Sequence, residues 1–223
     1  MQLRNRGFVA FVVPALLGLA ITCACPAAAA GDWTPISRAQ ALEQTRSAQL
    51  DKRRLAYGRL AEIGTMEDIP VLMAALWDEE ELIRGIAEQS VWGIWMRTDD
   101  PVADPLFQTG MQLITVDEPD AAIEKLNQVI ELKPDFAEAW NRRGNAYAAL
   151  GDEDRALADY ERAIILNPYQ FGTLESCGEI WMTRSNYRKA AEYFRRALDL
   201  NPNLSEAAEA LHSLEEKLEN DRI

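Results

Sequence analysis

The sequence predicts an all-α protein, a right-handed solenoid in which three helical hairpins stack and a final helix caps them. Small residues and prolines recur every 34 residues in the C-terminal half, and apolar neighbours follow them at steps of three and four. The recurring columns are Gly110, Gly144 and Gly178; Ala122, Ala156 and Ala190; and Pro134, Pro168 and Pro202. A period of this length is typical of units that bury their apolar faces only by stacking on one another.

The middle copy shows how each unit is expected to fold. Its apolar and small residues fall at steps of four and three: Trp140, Gly144 and Tyr147, then Ala156, Tyr160 and Ala163. Each set forms one face of a helix. Residues 151–154 between them carry turn and helix-start chemistry, and Pro168 ends the second helix because proline lacks the amide hydrogen. Each copy is therefore predicted to be a helix, a tight turn and a second helix.

This pattern resembles the tetratricopeptide repeat family, whose units carry large–Gly–aromatic residues in the first helix and Ala–aromatic–Ala–Pro in the second. The resemblance covers residues 103–136, 137–170 and 171–204. The first copy is a weaker match, with Leu113 and Leu126 on its columns, and its turn over 116–120 departs from the usual Leu-Gly. The family implies that the first helices line a concave groove for a peptide or a partner helix.

The segments on either side of the repeats are also predicted to be helical. Residues 205–223 form a capping helix, with Ala208, Leu211, Leu214 and Leu218 on its apolar face. Residues 31–102 contain helical stretches over 35–63, 69–77 and 79–96, and part of this segment, 69–94, resembles one HEAT-type unit. We expect Trp92 and Trp95 to pack on the first repeat, which would make one continuous solenoid.

The first thirty residues have the pattern of a secretory signal peptide. Arg4 and Arg6 precede an uncharged apolar run over 8–21, and small residues lead to Ala30. We expect cleavage after Ala30 and a periplasmic location. Two alternatives remain open: the segment is kept as a membrane anchor, or a lipid is attached at one of the early cysteines, Cys23 and Cys25.

Cleavage there would leave an acidic chain with a single cysteine. The formal net charge would change from −13 to −15, because residues 1–30 contain two arginines and no acid. Such a chain is a poor ligand for nucleic acid or for an anionic membrane surface, whereas a basic segment of a partner would be attracted to it. The remaining Cys177 cannot form an internal disulfide.

The sequence shows no catalytic or cofactor-binding pattern. The chain has one histidine, His212, in the capping helix, and neither a glycine-rich phosphate loop nor a nucleophile elbow occurs. After cleavage, one histidine and one cysteine would remain, and these cannot supply the ligand set of a zinc or transition-metal site. We therefore expect a protein that is not an enzyme and that needs no cofactor and no metal.

The resemblance places a set of first-helix residues in the groove. These lie off the packing columns: Phe107 and Met111; Asn141, Arg142 and Asn145; and Glu175, Glu179 and Met182. Asparagine could hydrogen-bond a bound backbone, and Phe107 with Met111 could form an apolar anchor. Gly172 and Ser176 stand where carboxylate-clamping members of the family carry basic residues, so that clamp is not expected here.

Three functional hypotheses follow, and none of them names the partner. The first is a periplasmic adaptor or scaffold that binds a peptide or partner helix in its groove. The second is a peptide-holding assembly factor or chaperone for envelope proteins. The third is a structural, oligomerising subunit. In each, the partner is a protein, with no nucleic acid and no membrane once the signal peptide is cleaved, and the oligomeric state stays open.

Overall fold

The computed structural model describes residues 35–220, and every regular element within them is helical. The predicted signal peptide and the last three residues lie outside the described residues. The N-terminal helices are α1 (Arg38–Gln44), α2 (Leu50–Ile63), α3 (Ile69–Ala75) and α4 (Glu81–Trp95). A short 3₁₀ turn, Met66–Asp68, leads into α3. No helix of the described residues is long and apolar enough to cross a membrane.

The repeats form three antiparallel hairpins followed by a cap, so the predicted all-α hairpin fold is confirmed. The hairpins are α5 (Ala103–Thr115) with α6 (Pro119–Leu132), α7 (Ala137–Ala149) with α8 (Glu153–Leu166), and α9 (Phe171–Thr183) with α10 (Tyr187–Leu200). The last helix, α11 (Ser205–Asn220), packs on α10. It buries Ala207 and Leu214, whereas the predicted Ala208 is exposed.

The column glycines lie where the two helices of a hairpin cross. A Cβ atom at Gly144 would come within 2.6 Å of the Tyr160 ring, and one at Gly178 within 2.9 Å of the Phe194 ring. Both rings are buried. Because ordinary carbon contacts lie at about 3.5–4.0 Å, only a residue without a side chain fits at these crossings.

The turn inside each hairpin contains one residue with a left-handed backbone. In the middle copy this is Gly151, with φ of +75°. The equivalent positions, 34 residues before and after, are Asp117 at φ +61° and Ser185 at φ +57°. The turns of the second and third copies then end in N-caps, Asp152 and Asn186, whose side chains accept backbone N–H groups of the following helix.

The predicted helix over 35–63 is interrupted, because Thr45–Gln49 separates α1 from α2. The Thr45 hydroxyl donates to the Leu42 carbonyl, and the Ser47 hydroxyl accepts the Gln49 N–H. Such local side-chain bonds compete with the helical ladder. The Thr65 and Asp68 pair forms a capping box at the start of the next element.

The N-terminal helices do not simply extend the stack from its first repeat. Met96 packs against the core of the first repeat. Trp92 and Trp95, however, contact Phe171, the first residue of α9 in the third repeat. The expectation that both tryptophans pack on the first repeat is therefore wrong, because α4 folds back across the first helices of the second and third hairpins.

Candidate protein-binding groove

The predicted groove residues lie on α5, α7 and α9, but most of them contact the rest of the chain. Phe107 is fully buried and forms an edge-to-face contact with Phe136, with ring centroids 5.0 Å apart. Met111 is half-buried and packs against the same core of the first repeat. The prediction of an exposed aromatic anchor at Phe107 is therefore wrong, since this turn of α5 faces the start of the second hairpin.

The middle of the groove face contains a buried polar network centred on Glu138. The carboxylate is buried and lies 2.5 Å from the Arg142 guanidinium. It also accepts hydrogen bonds from the amide groups of Asn141, at 3.2 Å, and Gln170, at 3.0 Å. Thr173 completes the network by donating to the Gln170 carbonyl oxygen. Asn141 is 4% exposed and bonds Glu138 within α7, so it does not face solvent, whereas Gln170 links Glu138 to the start of α9.

Asn145 also has a partner within its own hairpin. Its carbonyl oxygen accepts a 2.8 Å hydrogen bond from the hydroxyl of Tyr160. Tyr160 is buried, and burial raises the pKa of this phenol. The amide of Asn145 therefore fixes the ring that packs on Gly144, which gives it a structural role beside any contact with a partner.

The N-terminal half of the groove face, formed by the first turns of α7 and α9, is covered by α4. The Trp92 ring lies edge-on to Phe171 at 5.5 Å, and the Trp95 ring lies 5.2 Å from the same phenylalanine. The guanidinium of Arg142 lies over Trp92 at 5.8 Å and donates to the sulfur of Met96 at 3.7 Å. A Cβ atom at Gly172 would come within 3.2 Å of the Trp92 ring. Arg142, Phe171 and Gly172 therefore form the site on the repeats that holds the Trp92 side chain of α4. We call these three residues the Trp92 site.

The C-terminal half of the groove face is acidic and more open. Glu175 is half-buried, Glu179 is exposed, and Met182 is 39% exposed on the next turn of α9. Burial, reinforced by the charges of Glu179, Glu206 and Glu88, raises the pKa of Glu175 to about 7. Although the Glu179 side chain is accessible to solvent, desolvation by the surrounding chain and the charge of Glu206 also raise its pKa. We call Glu175, Glu179 and Glu206 the acidic face.

The other titratable groups singled out in the sequence show no catalytic arrangement. Burial raises the pKa of the Cys177 thiol to about 12, so this cysteine is a protonated core residue at neutral pH. His212 is exposed on α11 and lies 3.4 Å from Glu216. Within residues 35–220, no three histidine, cysteine or acidic side chains form a group that could hold a metal ion.

The docking of α4 on the third repeat is the feature that the sequence patterns missed. Trp92 and Phe171 are far apart along the chain, and residues 31–102 lie outside the 34-residue period, so no column linked them. One signal was present: Gly172 follows the first residue of α9 on the face expected to bind a partner. A glycine there leaves room for a large side chain brought in from elsewhere.

Comparisons with known proteins agree with the repeat architecture. Two sequence models described as "Tetratricopeptide repeat" match residues 137–170 and 182–204, and one described as "TPR repeat" matches residues 118–151. A TPR repeat-containing protein of Rhizobium etli is 30% identical over 128 residues, which are 57% of this chain. The chain spans 63% of the length of that relative.

Two solved structures show the same fold at low sequence identity. The first TPR of Spaghetti (RPAP3), bound to an HSP90 peptide, has a TM-score of 0.50 at 23% identity and covers 52% of this chain and 92% of its own. The Sgt2 TPR domain of Aspergillus fumigatus has a TM-score of 0.51 at 22% identity and covers 55% and 83%. These two structures agree in fold, and the sequence-model matches over residues 118–170 and 182–204 show that the chain is a tetratricopeptide-repeat protein, with a protein–protein interaction module whose family is typically non-catalytic.

Proposed function

We propose that this chain is an exported adaptor that binds a basic segment of another protein along its acidic face. The observation that carries the proposal is that the carboxylates of Glu175, Glu179 and Glu206 are unpaired within the described residues. No ion pair or hydrogen bond reaches these three carboxylates from the rest of residues 35–220, and their charges oppose one another. A lysine or arginine of a partner would relieve this repulsion in a partly desolvated site.

Met182 gives the proposed site an apolar element beside the charges. Its side chain is 39% exposed on α9, three residues after Glu179. Methionine is flexible and polarizable, and it adapts to partners of different shape. A basic segment that also carries an apolar side chain would therefore bind better than one that carries charge alone.

A binding role without catalysis is the function that these residues support best. The family is typically non-catalytic, the Cys177 thiol is buried with a raised pKa, and His212 lies exposed on α11 beside Glu216. Fold alone does not decide activity, so the proposal rests on the side chains of the groove face.

Export is part of the proposal and depends on the first thirty residues. Their basic start, apolar run and small-residue end are typical of a cleaved signal peptide, and a periplasmic location would follow. Expression of the full chain in a Gram-negative host, followed by mass spectrometry of the mature protein, should show Gly31 as the first residue. A mature protein that keeps Met1 to Ala30 would contradict export by cleavage.

Binding can be tested with a peptide of stated composition. The probe is a fluorescent twelve-residue peptide of lysine, alanine and leucine, and its counterpart carries glutamate in place of lysine. We expect the lysine peptide to bind with an affinity that falls as salt rises, because exposed charges are screened. The double variant Glu179→Gln with Glu206→Gln should weaken binding about tenfold.

A matched control places the same charge change on the other helix of the hairpin. Glu192 and Asp199 are exposed on α10, so Glu192→Gln with Asp199→Asn removes two negative charges away from the acidic face. This control should keep the wild-type affinity to within about twofold. Equal losses in both double variants would show that net charge alone attracts the peptide, and the proposed site would be wrong.

A further inference from the structure

We infer that α4 occupies the groove of its own chain and closes the N-terminal half of the groove face while Trp92 is docked on Phe171. The inference rests on the proposed function in one respect. An outside segment that runs the length of the groove must displace α4, so the docking of α4 would regulate the binding of that segment. The docking itself is a property of this chain, and it can be measured without any partner.

The contacts between α4 and α9 resemble those of a ligand in its site. An aromatic side chain, Trp92, is held between an aromatic ring, Phe171, and a guanidinium, Arg142. The glycine at position 172 leaves space for the indole. Aromatic and arginine side chains at a close-packed centre are the features that dominate the binding energy of protein interfaces.

The core of the N-terminal helices is formed mostly by those helices themselves, and Phe171 of α9 also belongs to it. The apolar core of this unit includes Leu60, Leu72, Ile83 and Val91, contributed by α2, α3 and α4. The Arg38 guanidinium joins α1 to Asp68 at 2.8 Å. These contacts allow α1–α4 to move as one body when Trp92 leaves Phe171.

The chain changes partners within residues 96–98. The Arg97 guanidinium donates to the carbonyls of Glu62 and Gly64, which end α2. The Thr98 carbonyl accepts from the Lys133 ammonium on the first repeat, and the Thr98 hydroxyl bonds to Asp104 at the start of α5. Arg97 is therefore bonded to the N-terminal unit, whereas Met96 and Thr98 contact the repeats, so the pivot of the proposed motion lies within residues 96–98.

The interface that α4 closes is close-packed around Trp92 and incompletely filled beside Trp95. A cavity of about 260 Å³ lies beside Trp95, between the end of α4 and the starts of α7 and α9, with Phe136 and Gln170 in its lining. The indole N–H of Trp95 lacks an acceptor within the described residues. Lost packing contacts and an unpaired donor both lower the cost of separating the two surfaces.

A like-charge contact also opposes docking. Glu88 on α4 acts electrostatically on Glu175 on α9, together with Glu179 on α9 and Glu206 on α11. A polar contact opposes this effect elsewhere in the interface, where the Asn203 amide donates to the Leu76 carbonyl at 2.8 Å. The closed state is thus stabilised by aromatic packing, by the Asn203 hydrogen bond and by the contacts of Arg142 with Trp92 and Met96, and it is destabilised by carboxylate repulsion.

The test asks whether the Trp92 site can bind a separate peptide that has the sequence of α4. The probe is a fluorescent synthetic peptide of residues 84–97, and its control carries alanine at the position of Trp92. The full chain is prepared as wild type, as Trp92→Ala and as Trp77→Ala. Trp77 is 60% exposed in the same unit, so Trp77→Ala matches the loss of an indole without removing the contact to Phe171.

We expect the probe to bind Trp92→Ala at least tenfold more tightly than it binds wild type or Trp77→Ala, because only in that variant is the Trp92 site free of the chain's own indole. The control peptide should bind all three proteins weakly. Equal binding of the probe to all three proteins, or to none, would overturn the inference. Neither result would bear on the lysine peptide at the acidic face, so failure of this inference and failure of the proposed function can be told apart.

A second variant acts from the opposite side of the contact. Gly172→Leu keeps α4 intact and fills the space of the Trp92 ring, and leucine is a good helix former. Hydrogen exchange of the backbone amides of α4 should then rise at least tenfold, whereas that of α10 should stay at the wild-type rate. Unchanged exchange in α4 would show that α4 does not leave the groove, and it would overturn the inference.

Discussion

The alanine variants of the column glycines test the hairpin crossings against one another. Gly144→Ala adds a methyl group whose carbon would lie 2.6 Å from two ring carbons of Tyr160 and 3.2 Å from the Ala156 carbonyl. The ring is buried, and its hydroxyl is bonded to Asn145, so the ring cannot retreat by about 1 Å without loss. Alanine gains about 1 kcal/mol of helix propensity.

The balance of these two effects sets a ranking. Overpacking typically costs about 1–3 kcal/mol, and the overlap at Gly144 is severe, so we expect a net loss of about 2 kcal/mol in the free energy of unfolding. At Gly178 the Phe194 ring lies at 2.9 Å and has no polar tether, so we expect a loss of about 1 kcal/mol. At Gly110 the neighbour is a flexible Leu126 side chain at 3.1 Å, so the two effects should nearly cancel.

The control is Gly85, a helical glycine on α4 with no atom within 4 Å of its added Cβ. Gly85→Ala should therefore stabilise the chain by up to about 1 kcal/mol. Urea unfolding followed by far-ultraviolet circular dichroism gives the midpoint and slope for all four variants. If Gly144→Ala proves as stable as Gly85→Ala, the close crossing of α7 and α8 is refuted.

Three further predictions follow from other contacts. Ser185→Gly and Asp117→Gly should each add about 1 kcal/mol to the free energy of unfolding, because both positions have a left-handed backbone that glycine adopts without strain. Each variant should therefore have a higher thermal midpoint, and a lower midpoint would contradict the assigned turns. Glu175→Gln should stabilise the fold by on the order of 2 kcal/mol at pH 8 and hardly at pH 4, since the pKa is raised from 4.5 to about 7 and wild-type stability falls as pH rises through that window. A benefit that is independent of pH in urea titrations would argue against this cause. Glu138→Ala should cost about 3–5 kcal/mol because it leaves Arg142 and two amides without their buried acceptor; a calorimetric loss below 1 kcal/mol would dismiss the network.

The repeat units could be predicted because their constraints are local and recur. The spacing of Gly144 and Tyr160 follows from the geometry of one hairpin, and the same geometry returns at Gly178 and Phe194. Each column therefore reports the same contact several times. The all-α fold and its three hairpins follow from this repetition, together with the prolines that end the second helices.

The groove could be predicted only in outline, because side-chain partners depend on contacts that the period does not encode. Phe107 lies next to a column position, and the direction of its side chain decides whether it faces solvent or Phe136. Asn141 looks exposed until Glu138 and Gln170 are seen to surround it. Glu175, Glu179 and Met182 remain predicted contacts of a partner, and their geometry is compatible with that role.

The most direct test of a protein-binding groove is to map the bound peptide on the full chain by nuclear magnetic resonance. Amide shifts would be followed while the lysine peptide is added to the labelled protein. We predict saturating shifts at Glu179 and Met182 on α9 and at Glu206 on α11, with α10 unchanged. Shifts confined to α10, or no saturating shift on α9 and α11, would contradict the account.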